Sequence, residues 1–580
     1  LARRTWQDRA QRRAGRPRSQ AEPLQMRAAL AVLLALTCTS AGTTSSVTRK
    51  RSNVAYDIRI VHGEIIDGTG KARFRADVGI RGDAIAAIGD LSNATSAITI
   101  DATNQVVTPG FIDLLGHSEA SVLLDPQLEG KIRQGVTTEV TGEGHSPGPI
   151  NDAMAAEIDR TRLPGYPDAT WRSLDDFMRV VEKRGSAINF AFYVGAANPR
   201  EIVLGTADRA PTAAELARME TLVDESMRTG AVGMSTALIY PPGRFARTDE
   251  LIALGKVVSK YNGSYWTHMR NEADRIMPAL DEAFRIGREA KMPVNIFHLK
   301  AGGKMRGHMA EIIAKIEAAR ASGLDVASQI YPYTATSTDL TSIVSAWALD
   351  GGYLQFVARL KDPATRARIA SEMRTGSYIS QGGNGILVRG IQSSDAHIKS
   401  FERKRLDEIA KSMNTDPTEA ALRIFEGSNS SPIAIFFGLS EDDLKLAMKQ
   451  PWVAVGSDSG AVVGPMRQFG AHPRAYGTFP RILGHYVRDE HLFTLEEAVR
   501  KMTSLAASRA KFADRGTLRA GMRADVVVFN PATIRDVSTY EDPHHFSEGI
   551  SNVIVNGVPV LQNGKMTGRL GGRVLRRVSS

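Results

Sequence analysis

Three residues of this chain stand where a hydrolytic metal centre would need them. His268, in Tyr265-Trp-Thr-His268-Met-Arg270, and His298, in Asn295-Ile-Phe-His298-Leu-Lys300, each follow a short apolar run, one strand–helix unit apart. Imidazole is a good zinc ligand, and two imidazoles at neighbouring strand ends can share one ion. Asp458, in Val453-Ala-Val-Gly-Ser-Asp458-Ser-Gly460, also closes an apolar run. A carboxylate there can orient a water and take its proton, the work of a general base. Glu143, in Thr137-Thr-Glu-Val-Thr-Gly-Glu143-Gly-His145, follows a further short strand, and either Glu143 or His145 could add a metal ligand. Lys300, Tyr331 and Arg474 could hold a small anionic substrate, because a guanidinium grips a carboxylate by two parallel hydrogen bonds.

Those side chains need strands to carry them. Apolar strand candidates run over 187–194, 231–235, 264–267, 294–297, 326–330 and 452–455. Between them, 213–227, 273–290 and 309–321 repeat apolar residues with the helical period. Strand–helix alternation over this length implies an α/β fold with a parallel sheet, and a (β/α)8 TIM-type barrel over 109–514 is the expected solution. The C-terminal strand ends of such a barrel form its active face. A charged, helix-leaning stretch including Arg359 to Arg374 breaks the alternation and predicts an insertion at about 340–430. Short alternating strands at 58–61, 77–80, 97–100 and 105–108, and again at 524–529 and 553–560, predict a small β-sandwich built from both ends of the chain, 54–108 and 515–580.

At 580 residues the chain has room for a large catalytic domain and a smaller module. Its net charge of +10 does not predict a nucleic-acid partner. Residues 1–53 hold eleven basic residues against two acidic ones, so nearly all of the excess lies in that segment. Met26-Arg27, the apolar run to Leu36 and small residues through Ala41 have the pattern of a secretory signal peptide, with 1–25 an upstream extension. This predicts a periplasmic or secreted protein with no transmembrane segment. A lipoprotein anchored at Cys38 fits less well, because Leu36-Thr37 is a poor match before the cysteine. Cys38 is the only cysteine, so the processed chain would have no disulfide and no thiolate ligand.

Several motifs resemble a known family. Thr108-Pro-Gly-Phe-Ile-Asp113 is similar to the segment that opens the barrel in the amidohydrolase superfamily. Ser235-Thr-Ala-Leu-Ile-Tyr240-Pro-Pro-Gly243, His298-Leu-Lys300-Ala-Gly302, Tyr331-Pro-Tyr333, Gly456-Ser-Asp458 and His472-Pro-Arg474-Ala-Tyr-Gly-Thr-Phe-Pro-Arg481 resemble its D-aminoacylase group, the N-acyl-D-amino-acid deacylases. The likeness runs from about Tyr56 to Arg577 and includes Gly572-Arg-Val-Leu-Arg576.

The resemblance implies a barrel with a composite β-sandwich and a lid-like insertion. It also implies zinc-dependent hydrolysis of an N-acyl-D-amino acid to a carboxylate and a free D-amino acid. It makes His268 and His298 zinc ligands, Asp458 the general base, and Lys300, Tyr331 and Arg474 grips for the substrate carboxylate. Two departures stand out. The superfamily's His-x-His is here Asp113-Leu-Leu115-Gly-His117, and Gly144 stands near the position where the group tends to place a cysteine. We therefore expect Glu143, or else His145, to supply the missing ligand to one zinc ion, with His117 nearby; Leu115 leaves a second metal an open question. The alternatives are a related amidohydrolase acting on D-containing dipeptides or cyclic amides, and a catalytically silent amidohydrolase-fold binding protein.

Overall fold

In the computed structural model, which describes residues 55–577, eight parallel strands succeed one another in chain order. They are β1 (Phe111–Gly116), β2 (Val136–Thr141), β3 (Asn189–Phe192), β4 (Gly233–Ala237), β5 (Ser264–His268), β6 (Val294–Ile296), β7 (Val326–Ile330) and β8 (Val453–Val455). β1 to β3 pair in one sheet, and β4 to β8 in a second that begins with the two-residue strand Val194–Gly195 just beyond β3. A single bridge between Gly116 and Ser459 links the ends of β1 and β8. This is an α/β domain of the TIM-barrel type. Every residue of these strands is buried, as a parallel sheet covered by helices requires. Ile112, Leu114, Leu115, Val140, Tyr193, Trp266 and Phe297 share one apolar cluster, with the rings of Tyr193, Trp266 and Phe297 5.1–5.8 Å apart.

The helices between strands start where local chemistry allows. Ala213–Arg228 opens with a reciprocal capping box between Thr212 and Glu215. Met309–Ala321 has the predicted bounds. The helix expected from 273 begins only at Ile276, because the Asn271 side chain accepts the backbone N–H groups of Ala273 and Arg275 and holds a turn there.

Strands from both ends of the chain form a β module. Tyr56–Val61, Asp77–Arg81, Ala84–Gly89 and Ser96–Asp101 make a four-stranded sheet, and a seven-stranded sheet joins Val106–Pro109 to Val526–Phe529 and Ile550–Val555. Ile58, Ile60, Val78, Val107, Val526 and Ile554 pack in one core between them. The run 553–560 is two strands rather than one. Asn556 and Gly557 both take positive φ, 46° and 76°, and turn Ile550–Val555 back onto Val558–Gln562 as a hairpin.

Between β7 and β8 lies an inserted segment with its own apolar core, built on Leu340, Phe356, Ile369, Leu406, Phe425 and Phe436. It contains the expected helix Pro363–Arg374, and also an antiparallel sheet of Ala335–Asp339, Ile433–Phe437, Ile386–Arg389 and Lys404–Arg405 that its charged composition hid. Among the described residues no helix is long and apolar enough to cross a membrane. The upstream extension and signal peptide expected at 1–41 lie outside the described residues.

Candidate metal and active site

The parallel strands bring their C-terminal ends to one face, and the chemistry-bearing residues collect there. His268 ends β5; His117, Glu143, His298, Tyr331 and Asp458 follow β1, β2, β6, β7 and β8 within a few residues. The Glu143 carboxylate sits at the centre and divides its oxygens. Oε1 lies 3.0 Å from His268 Nδ1 and 3.1 Å from His298 Nε2, whereas Oε2 lies 3.3 Å from His117 Nε2. His117 Nε2 is also 3.2 Å from Asp458 Oδ1. Two donor sets therefore share one carboxylate: Glu143, His268 and His298, and His117, Glu143 and Asp458, each with ligand atoms within 4.8 Å of one another.

The expected third-ligand position divides plainly. Glu143 points into the cluster, while His145 is exposed and pairs with Glu201 at 2.9 Å. Gly144 has φ of +66°, and a Cβ there would lie 2.5 Å from the Cβ of Ala237, so a side chain has no room at this position. The Leu115 side chain is fully buried in the apolar cluster of Ile112, Val140, Trp266 and Phe297.

Glu272 belongs to the site and escaped the sequence reading. Its Oε2 is 2.7 Å from Lys300 Nζ, and its Oε1 is 2.9 Å from His298 Nδ1. A carboxylate on the outer nitrogen of a ligand histidine fixes the ring and frees the inner nitrogen. Its signal was available: Glu272 stands four residues after His268. Lys300 Nζ also lies 2.6 Å from His298 Nδ1. Arg474 reaches Asp458 Oδ2 through Nη1 at 2.8 Å and donates from Nη2 to the Ser337 carbonyl at 3.1 Å. The Arg474 guanidinium lies over the Tyr331 ring, 4.7 Å from its centroid, and the buried Tyr331 hydroxyl has no hydrogen-bond partner. These groups line a cavity of about 590 Å³, whose far wall comes from the insertion through Ser337, Thr338, Asp339 and Arg389. That volume suits a small-molecule ligand.

The electrostatics favour a cation. Burial opposes charge on Glu143, but hydrogen bonds from His117, His268 and His298 hold its carboxyl well below the usual range. Asp458 is likewise lowered, since Arg474 and the nearby imidazoles outweigh its burial. Glu272 is lowered too, burial being overcome by His268, Lys300 and His298. Three carboxylates thus face only two fixed cations, Lys300 and Arg474. His117 and His298 answer the excess by attracting protons. Hydrogen bonds to Asp458 and Glu143 overcome burial to raise His117 well above the ordinary histidine value. His268 Nε2 is buried and, though 3.3 Å from Glu272, makes no hydrogen bond. A buried carboxylate with two imidazoles, one with an orphaned nitrogen, is a donor set that fits zinc.

Residues 394–561 match the Amidohydrolase family. Over 528 residues the chain is 37% identical to a D-aminoacylase of Alcaligenes xylosoxydans xylosoxydans, covering 90% of this chain and 98% of that one. An N-acyl-D-glutamate deacylase from Bordetella bronchiseptica, solved with zinc and a phosphonate mimic of the tetrahedral intermediate, superposes with a TM-score of 0.76 at 34% identity, covering 90% of this chain and 99% of that one. A D-aminoacylase with a binuclear metal centre, in which one metal activates and the second attenuates, superposes with a TM-score of 0.76 at 35% identity, covering 90% and 100%.

Proposed function

The chain belongs to the D-aminoacylase family of amidohydrolases, and from that premise we propose that it is a zinc-dependent hydrolase that cleaves N-acyl-D-amino acids to a carboxylate and a free D-amino acid. The observation that carries the reading is the convergence of Glu143, His268 and His298 beside Asp458. Glu143, His268 and His298 would hold one zinc ion, with Glu272 orienting His298. Bound there, zinc supplies Lewis acidity toward the amide carbonyl and the attacking water.

The remaining work falls to the chain. Asp458, kept ionised by Arg474, accepts a proton from water at its carboxylate and returns it to the departing amine. Lys300, Tyr331 and Arg474 hold the substrate carboxylate. The orphaned Tyr331 hydroxyl and the unpartnered Arg474 Nε are donors that such an anion would satisfy. The insertion acts as a lid over a closed barrel, limiting bulk solvent around the reacting groups. A second cation would draw on His117 and Asp458, and so would compete with the proton transfer. The signal-peptide pattern at 26–41 supports a periplasmic or secreted location.

A panel of N-acetyl-D-amino acids, their L-enantiomers and D-containing dipeptides tests the assignment. Turnover confined to the N-acetyl-D compounds is expected. Equal rates on L and D acyl substrates, or activity on dipeptides alone, would overturn it.

A further inference from the structure

Beneath the site lies a cluster of charge that the proposed chemistry does not use. Lys131, Asp113 and Glu139 are all completely buried. Lys131 Nζ lies 2.7 Å from Asp113 Oδ2 and 3.0 Å from Glu139 Oε2. It also donates to Ser457 Oγ at 3.0 Å and to the Ser459 carbonyl at 2.6 Å. These two serines flank Asp458, whose φ of +51° lies in the left-handed region that non-glycine residues rarely adopt. Asp113 adds to the hold, accepting the Ser457 N–H at 2.8 Å, while the Asp458 N–H donates to the Leu115 carbonyl at 2.8 Å.

The second carboxylate reaches the other side of the site. Glu139 accepts from the N–H and the hydroxyl of Ser118, both at 2.8 Å, and Ser118 follows His117. Its side chain runs so close to Gly116 that a Cβ there would sit 1.9 Å from Glu139 Cδ. Buried ion clusters are poor stabilisers compared with apolar packing of equal volume, so stability alone is a weak reason for one here. Directed hydrogen bonds, by contrast, fix backbone that apolar contacts leave free to shift.

We propose that Lys131 is a positioning residue for the reaction: through Asp113, Ser457 and Ser459 on one side and Glu139 and Ser118 on the other, its ammonium sets Asp458 and His117 in register. This rests on the reading of Asp458 as the base.

The test compares Lys131→Met, which keeps the length of the side chain and removes its charge, with wild type in the full zinc-loaded chain. For a base displaced by ångström-scale slippage, kcat should fall about 100-fold with little change in KM. The visible spectrum of protein loaded with excess cobalt(II), which would also fill the set of His117, Glu143 and Asp458, should change as well, because two of those donors move. A kcat within about twofold of wild type, a change too small for ångström-scale displacement, together with an unchanged cobalt spectrum would overturn the proposal. If Lys131→Met does not fold, Ser118→Ala decides: it keeps the lysine and both carboxylates and removes the hydroxyl that donates to Glu139 and accepts the Ala461 N–H. That variant should remain folded and lose roughly tenfold in kcat; unchanged kcat there would also overturn the proposal. If wild type hydrolyses no N-acyl-D-amino acid, the functional reading fails on its own. The cobalt spectra would still judge Lys131, a changed spectrum upholding its positioning role and identical spectra ending it.

Discussion

Asp458 Oδ2 and Arg474 Nη1 lie 2.8 Å apart, so the proposed base and one proposed substrate grip form a single ion pair. Burial alone would raise the Asp458 carboxyl; Arg474 is the largest influence lowering it. Arg474→Ala should therefore change two properties together. KM should rise through loss of the grip, and the acid limb of the kcat/KM profile should move upward by roughly 1–2 pH units. Measured pH profiles of both enzymes decide this. A variant with altered KM and an unmoved acid limb would show that the pair does not tune the base.

Glu143 and Glu272 should separate as ligand and orienter. Glu143→Ala should abolish retention of zinc through dialysis, because it removes the carboxylate shared by both donor sets. Glu272→Gln keeps the hydrogen-bonding shape and should weaken zinc affinity by about 10–100-fold without abolishing it. Competitive chelator titration measures both. Equal affinities in Glu143→Ala and wild type would remove Glu143 from the ligand set.

Protons and zinc should compete. In the metal-free protein, burial and Lys300 lower the His298 pKa, but Glu272, Asp458 and Glu143 overcome them and bring it to about 9. A histidine raised in this way stabilises the fold while protonated; that contribution is full below about pH 6.5 and is lost as pH rises through the folded value. Zinc requires the neutral ring, so its apparent affinity should rise with pH and binding near neutrality should release protons. Titration calorimetry in two buffers of different ionisation heat counts them. Identical observed heats would show that zinc displaces no proton from the site.

Excess zinc should inhibit, because the second donor set contains Asp458. His117→Ala removes its imidazole and should raise the zinc concentration needed for half-inhibition by about tenfold or more, the scale on which a lost group changes metal affinity. Steady-state rates across a zinc series measure the shift. Unchanged inhibition would place the second ion elsewhere.

The strand-end residues were legible because a parallel sheet imposes a simple rule: an apolar run followed by a polar group reaches the active face. His268, His298 and Asp458 each obey it. Glu272 does not, since it lies in a loop beyond β5 and its nearness to Lys300 depends on how two loops meet. Lys131 was hidden for a different reason. A lysine in sequence reads as a solvated residue, and only the fold shows that two carboxylates receive it in the interior. The insertion's strands were obscured because they are short and spaced among charged helices, so their pairing is long-range. The Asn556-Gly557 dipeptide is a hairpin signal between two apolar runs that the reading of 553–560 as one strand overlooks.

Zinc held by Glu143, His268 and His298 is proposed to make this chain a deacylase of N-acyl-D-amino acids. Titrating zinc into metal-free protein while following release of the free D-amino acid tests it most directly. No turnover without metal, activity rising to a plateau near one zinc per chain, and no release from the L-enantiomer are expected. Full turnover by the metal-free protein, or equal release from both enantiomers, would contradict it.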